Sequence, residues 1–436
     1  MKNESEDAKA LQVNSDNDFA KEIRKVLILS SNQKLEKTDV DILLNGKLVQ
    51  LNQGEDIDSR ARQILRDSYI EWIKHQPNYN FVVLTGAGSS FGLGDGEYKG
   101  TGLAGLWDQI SHEDADSLRT LIDVCMFPEE SKDLEKLLTL SQRHYEIGKS
   151  PKIKESIDSV EELIFQMCSL KLTKPLVSPH YQFLDKVTRR KVSLPRVKVF
   201  TLNYDTLFEQ AATEGRFTII DGFTFTSSRI FNGQVYDYDI VLRAGSRLKN
   251  EDNFVKKVFH LYKLHGSIDW VSENGQILQC TKEGMEARLA ANESSRRVMI
   301  FPRDSKFELS YEQPYFELIG RLQKTLRSEN TFLITVGFSF NDKHIRSIIL
   351  ESLKQNPSLH LLVVSFPDII SDEELQAFAE LDNRIMLIAE TWESFAKHFP
   401  LNSSFSTNDP LELIVDLLAE KLNDKKSNAN GAHQNI

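Results

Sequence analysis

The chain has 436 residues, 40% hydrophobic and 27% charged, enough for two or three domains or for one large domain with an appendage. Its 64 acidic against 53 basic residues give a formal net charge of −11, which argues against a protein that grips DNA or RNA by neutralising phosphates. Three scattered cysteines, Cys125, Cys168 and Cys280, without any C-x-x-C, exclude a zinc ribbon and a redox dithiol and fit a reducing compartment.

Residues 1–19 are polar, with no apolar run behind Met1-Lys2-Asn3-Glu4, and read as a disordered N-terminus and not as a signal peptide. No window approaches about 18 uninterrupted apolar residues, so no membrane span is expected and the expected compartment is the cytoplasm. Residues 20–76 form an N-terminal appendage that packs on the main body or on a neighbouring subunit. Within it, Val26-Leu27-Ile28-Leu29 and the stretch 43–51, with its Asn45-Gly46 turn signal, predict short strands. Ile64, Leu65, Tyr69 and Trp72 have helical spacing across 58–74.

Phe81-Val82-Val83-Leu84 predicts a buried strand running into Thr85-Gly86-Ala87-Gly88-Ser89-Ser90-Phe91-Gly92, a glycine-rich turn with two hydroxyls. Glycine there allows positive φ and close approach of a ligand. Helical patterns follow from about 103 to 190, including Leu106/Trp107/Ile110, Leu118/Leu121/Ile122, Leu134/Leu137/Leu138 and Val160/Leu163/Ile164/Met167. That interval is too long for one crossover helix, so a helical subdomain is expected to be inserted at 105–190.

Val197–Thr201 predicts the next strand, followed by Leu202-Asn203-Tyr204-Asp205 and a helix through Phe208 and Ala211. An aromatic, glycine-containing insertion with hairpin character covers 222–256. Val258–Leu264 predicts a strand ending in His265-Gly266-Ser267, and 298–301 a short one, before a helix at 314–328. Thr331–Val336 ends at Gly337-Phe338-Ser339-Phe340, with a helix over 342–353 and strands at Leu361–Val364 and Ile385–Ile388. Strands alternating with helices predict an α/β fold, a doubly wound (Rossmann-like) parallel sheet, within a catalytic domain at 77–398. A C-terminal helix is expected within 399–422, and 423–436 as a disordered tail.

In a doubly wound sheet the polar turns at 85–92, 201–205, 264–267 and 336–342 share the carboxyl edge and can converge on one crevice. The glycine loop alone is ambiguous. Phe91 stands where a dinucleotide fingerprint needs its third glycine, while Gly88-Ser89-Ser90-Phe91-Gly92 matches the G-x-S-x-G of a serine hydrolase elbow, and a plain packing turn fits as well. Asn203 could cap a helix starting at Tyr204, Asp205 could serve a helix dipole, and His265 and Ser339 could be ordinary turn residues. Asp342, His344 and the pair His260/Tyr262 read as structural.

Taken together, Gly86-Ala87-Gly88-Ser89-Ser90, Thr201-Leu202-Asn203-Tyr204-Asp205, Lys263-Leu264-His265-Gly266-Ser267 and Gly337-Phe338-Ser339-Phe340 resemble, in order and spacing, the NAD-binding core of the sirtuin family over roughly 77–390. The chain is more similar to the sirtuin-like domains of bacterial antiviral defence proteins than to the protein deacylases. The resemblance implies that Gly86, Ala87, Gly88 and Ser89 hold the NAD pyrophosphate through backbone and hydroxyl donors, with Thr201 among the cofactor-binding residues. It implies that Asn203 and Asp205 act at the nicotinamide ribose, Asn203 ordering the ribose or the attacking water. It implies that His265 contacts the ribose hydroxyls as a base, and that Gly337 and Ser339 lie near the adenosine half.

The chemistry suits these groups. Nicotinamide leaves as a neutral molecule, so the ribose becomes cation-like; a carboxamide oxygen and a carboxylate stabilise it, and a neutral imidazole takes a proton. Deacylases of the family carry a four-cysteine zinc module between the histidine turn and the later glycine turn, where this chain has Cys280 alone, so no metal is expected. Water is then the expected acceptor: an NAD hydrolase releasing nicotinamide and ADP-ribose. The alternatives are a protein deacylase, an ADP-ribosyltransferase, or a non-catalytic nucleotide-binding subunit of an assembly. The resemblance further implies a homo-oligomer acting in antiphage defence and, as a regulating partner, an ATPase of the hexameric HerA type.

Overall fold

Side-chain alternation decides which layer each strand joins. In the computed structural model, which describes residues 24–77, 79–191, 194–242, 254–292, 295–299 and 314–400, the chain opens with β1 (Lys25–Ser30), β2 (Lys34–Lys37), β3 (Ile42–Leu44), β4 (Lys47–Leu48) and α1 (Ile57–Lys74). Next come β5 (Asn80–Thr85), α2 (Leu103–Glu113), α3 (Ala115–Cys125), α4 (Leu134–Gly148), α5 (Pro151–Cys168) and α6 (Pro179–Thr188). The middle holds β6 (Val197–Thr201), α7 (Leu207–Gly215), β7 (Thr218–Ile220), β8 (Arg229–Ile230), β9 (Val258–Lys263), β10 (Gly266–Glu273), β11 (Gln276–Gln279), α8 (Lys282–Ala291) and β12 (Arg296–Met299). The last third is α9 (Tyr315–Leu326), β13 (Thr331–Val336), α10 (Lys343–Gln355), β14 (Leu359–Ser365), α11 (Glu373–Leu381), β15 (Ile385–Ala389) and α12 (Trp392–His398).

The main sheet has the order β4-β3-β2-β1-β15-β14-β13-β5-β6-β9-β7. From β15 to β7 every pairing is parallel, and β1–β4 extend the sheet in antiparallel fashion, β1 joining β15 through Ile28↔Ile388. In β5, Val82 and Leu84 face one layer with α9, α10 and α11, where Leu318, Leu322, Ile345, Ile349 and Leu375 are buried. Phe81 and Val83 face the other, under α1, α6, α7 and α12, with Leu65, Tyr69, Phe183, Phe208 and Phe395. A strand buried on both faces needs an apolar residue at nearly every position, as 81–84 and 331–336 supply. The fold is a doubly wound α/β sandwich.

Helices α2–α5 pack together around Ile110, Leu121, Leu137, Val160 and Ile164, and against a second sheet of order β12-β10-β11-β8. Parts of this region differ from the sequence reading. The insertion at 222–256 carries antiparallel bridges of its own, Phe223↔Phe231 and Val241↔Phe254, and its strand β8 also pairs with β11, far downstream, through Leu278↔Ile230. A hairpin that was not expected lies in β10–β11, around Asn274 (φ 51°) and Gly275 (φ 75°). Strand β2 was not expected; the stretch 43–51 folds back at its Asn45-Gly46 turn, with β3 ending before it and β4 following it. Residues 1–23, 243–253 and 401–436, which include the expected termini and most of the expected C-terminal helix, lie outside the described residues.

Candidate active site

Chain order reverses between β5 and β13: from β5 the sheet is built outward to β6 and β9, and then from β13 outward on the other side. Such a switch point leaves a crevice at the carboxyl ends of the two strands. There the glycine loop meets the β13 turn backbone to backbone. Gly86 N–H donates to Val336 O (3.0 Å) and Gly88 N–H to Gly337 O (3.0 Å). A Cβ on Gly88 would sit 2.5 Å from Gly337 Cα, and one on Gly86 2.7 Å from Gly337 O. Gly337 itself has φ 59°. Glycine is required because two main chains touch.

The loop turns through a 3₁₀ segment, Ala87–Ser89, in which Ser89 N–H donates to Gly86 O (2.9 Å) and Ser90 N–H to Ala87 O (3.1 Å). Ser89 Oγ also donates to Gly86 O (2.9 Å). The N–H groups of Gly86, Gly88, Ser89 and Ser90 are therefore all bonded within the protein. What this loop presents to a ligand is close, side-chain-free backbone more than a row of open donors. Ala87 is exposed and Ser89 buried.

Asn203 follows β6, its own N–H held by Thr201 Oγ1 at 3.1 Å. Helix α7 begins only at Leu207, and Asp205 Oδ1 accepts the Leu207 N–H (3.1 Å), so Asn203 does not cap it. Its carboxamide nitrogen points at the glycine loop, 3.0 Å from Gly86 O, 3.1 Å from Ser89 Oγ and 2.8 Å from Ser90 Oγ. Gly86 O can only accept, which fixes that end of the amide as the donor and turns Oδ1 to the other side. Ser90 Oγ passes the chain on, donating to Asp205 Oδ2 at 2.7 Å. Both Asp205 oxygens are thus engaged inside the protein, and the carboxylate reaches Asn203 through Ser90.

His265 lies in the turn two residues beyond the end of β9, 9% exposed. Its turn is tied to the asparagine turn by Lys263 Nζ, which donates to Tyr204 O (3.3 Å), to Asp205 O and to Glu209 Oε1 (3.0 Å). Ser267 Oγ donates to Tyr204 O as well (3.3 Å). Burial pushes the Glu209 carboxyl up to about 7 although Lys263 pulls it down. His265 Nε2 in turn lies 3.2 Å from Asp342 Oδ2, on the turn after β13. Ser339 is exposed on that turn, its Oγ accepting the Asn341 N–H at 3.4 Å.

The four turns thereby form a closed circuit: glycine loop to Asn203, asparagine turn to histidine turn, His265 to Asp342, and Gly337 back to Gly88. Sequence reasoning quoted Ser90 and Lys263 within its motifs without giving either a role of its own, passed over Glu209, and read Asp342 as structural. Ser90 and Lys263 both sit inside quoted motifs, so a role for each was within reach. The Asp342 contact depends on two turns separated along the chain by a second sheet. His260 is buried beside Tyr262, its Nδ1 3.1 Å from Tyr262 Oη, and burial holds it down to about 3. Among the described residues, no cluster of three or more His, Cys, Asp or Glu side chains is placed to hold a metal ion. No helix of the described residues is long and apolar enough to cross a membrane.

Residues 197–386 match the family described as the SIR2-like domain. This stretch, less than half of the chain, is similar to that family. It contains Asn203, Asp205, His265, Gly337 and Ser339, and stops short of the glycine loop, which β5 brings to it through the β5–β6 and β5–β13 pairings. No curated protein matches in sequence. Among solved structures, the chain is similar to a protein described in "The Structural basis for Sirtuin Substrate affinity", with 12% identity and a TM-score of 0.38, over 78% of this chain and 99% of that one. It is also similar to SIR2 in complex with the inhibitor EX-527, 2′-O-acetyl-ADP-ribose and a deacetylated p53 peptide (12%, 0.37; 78% and 100%), and to a Sir2–p53 peptide–NAD+ complex (12%, 0.36; 76% and 95%).

Proposed function

We propose that the crevice takes NAD as substrate and that the chain hydrolyses the nicotinamide–ribose bond, giving nicotinamide and ADP-ribose. The observation that carries this reading is the closed circuit of four strand-end turns at the switch point, with Asn203 anchored by its amide nitrogen and His265 by its Nε2. The SIR2-like match over 197–386 supports NAD as the ligand.

Loss of neutral nicotinamide leaves positive charge on the ribose. Asn203 Oδ1, directed away from the glycine loop, stabilises that charge or holds the attacking water, and the His265 imidazole takes the water's proton. Asp205 acts through Ser90 to hold the Asn203 carboxamide in this orientation. Gly86, Ala87, Gly88 and Ser89 let the pyrophosphate approach bare backbone, while Thr201 fixes the asparagine turn and Gly337 and Ser339 border the adenosine half. Water is the acceptor because Cys280 alone cannot build the zinc module that accompanies an acyl-lysine site. Within this reading, 77–398 is the catalytic unit of an antiphage effector, held as a homo-oligomer and regulated by a HerA-type ATPase.

Incubation of the purified full chain with NAD, alone and with the product of its neighbouring gene, is expected to release nicotinamide and ADP-ribose in equal amounts. Asn203→Ala and His265→Ala are each expected to lower release by about 10²- to 10⁴-fold with the fold intact. NAD consumption that requires an acylated peptide would favour deacylation. Absence of release in either condition, with a folded protein, would leave a nucleotide-binding subunit as the better reading.

A further inference from the structure

We propose that Lys263 is a positioning residue for Asn203, its ammonium fixing the backbone of the turn that carries the carboxamide; this rests on the NAD-hydrolase reading above. Lys263 closes β9 as the register partner of Thr201, the last residue of β6, and is 3% exposed. A lysine is seldom buried unless its charge is paired and its donors are used. Here the three ammonium protons meet three acceptors: Tyr204 O (3.3 Å), Asp205 O and Glu209 Oε1 (3.0 Å). Two of the three belong to the turn that carries Asn203.

Asn203 is thereby held from two sides. From the glycine loop, Gly86 O, Ser89 Oγ and Ser90 Oγ surround its amide nitrogen, while Thr201 Oγ1 accepts its main-chain N–H. From β9, Lys263 takes the next two carbonyls. Tyr204 O has further donors in the Ile268 N–H (3.1 Å) and Ser267 Oγ (3.3 Å), whereas Asp205 O receives Lys263 Nζ alone among the described residues. A lysine needed only to tie β9 to α7 would require the Glu209 contact and neither carbonyl. The carbonyl contacts set the peptide planes that follow Asn203, and with them the direction in which Oδ1 crosses to the ribose.

Lys263→Met keeps the length of the side chain and removes the ammonium. Its kcat for nicotinamide release is expected to fall by about 10²-fold, the effect of a displacement of about 1 Å at the reacting centre, with KM for NAD little changed. That variant strands Glu209 as a carboxylate without its cation, so Lys263→Met/Glu209→Met, in which both charges are gone, is measured beside it. The double variant is expected to unfold cooperatively and to show the same fall in kcat; it also carries the test if Lys263→Met does not fold. Hydrogen exchange of the full chain without NAD gives a second reading. The amides of Asn203 and Leu207, bonded to Thr201 Oγ1 and Asp205 Oδ1, are expected to lose protection in the variants while those of β5 keep it. Wild-type kcat in either folded variant would overturn the proposal, as would unchanged exchange across 202–207. Should neither variant fold, Lys263 serves the fold alone and the proposal falls. Should wild type release no nicotinamide, the hydrolase reading falls, and the exchange result still decides whether Lys263 holds the turn.

Discussion

At Gly337 a single methyl group has nowhere to go. Its φ is 59°, and a Cβ would lie 2.4 Å from Gly88 Cα, so strain and a backbone clash act together. Gly337→Ala is therefore expected to cost on the order of 2–5 kcal/mol in urea unfolding. Gly46 provides the contrast: φ is 74°, but nothing lies within 4 Å of the place a Cβ would take, so Gly46→Ala should cost only about 1–2 kcal/mol. Equal costs at the two positions would contradict the backbone contact between the glycine loop and the β13 turn. Asn203 shows the limit of reading one residue at a time. In sequence, a cap was an equally good account of it; only the position of Leu207 as the first helical residue and the three acceptors around Nδ2 separate the two.

Between elements, the pair of buried Lys263 and half-buried Glu209 joins the end of β9 to the first turn of α7 and so holds the asparagine turn against the histidine turn. Burial is the dominant influence on Glu209 and lifts it to about 7, above its ordinary value of 4.5. Between those values the folded protein holds a proton that the unfolded chain has lost. Stability from this group is present below pH 4.5 and is lost as pH rises through about 7. Glu209→Gln, which cannot ionise, should therefore gain stability relative to wild type from pH 5 to pH 8, as measured by urea unfolding at each pH. A constant difference between the two proteins over that range would contradict the buried assignment. Elements with a strong local signal were legible: β5, β9 and β13 are apolar runs, and α10 has apolar residues at helical spacing. Strand β2, Lys34-Leu35-Glu36-Lys37, was not, because three of its four residues are charged and its one buried side chain, Leu35, offers no periodicity. Strand β10 carries polar residues at both Ser267 and Asp269, and only its Asn274-Gly275 turn marks it.

Across the whole molecule, residues 24–76 are continuous with the sheet: β1 bonds to β15, and α1 buries Ala61, Leu65, Tyr69 and Ile73 against the same layer as Phe81, Val83 and Phe395. Leu65, 1% exposed, should cost about 2–5 kcal/mol on change to alanine. A chain beginning at residue 77 should fail to unfold cooperatively, because that layer would be left open to water; an undiminished, sharp transition for it would show that the segment only rests on the fold. The sequence made the parallel core and its carboxyl-edge turns visible, since both follow from local patterns. It did not reveal which far-separated turns touch. The His265–Asp342 contact and the β8–β11 pairing are made by chain topology, which no local spacing encodes.

The most direct test of the central claim is chromatographic measurement of nicotinamide and ADP-ribose after the full chain meets NAD with no peptide present, beside Asn203→Ala of matched stability. Equal amounts of the two products from wild type, falling by about 10²-fold or more in the variant, is the expected result. Release that is unaffected by Asn203→Ala, or that appears only when an acylated peptide is added, would contradict it.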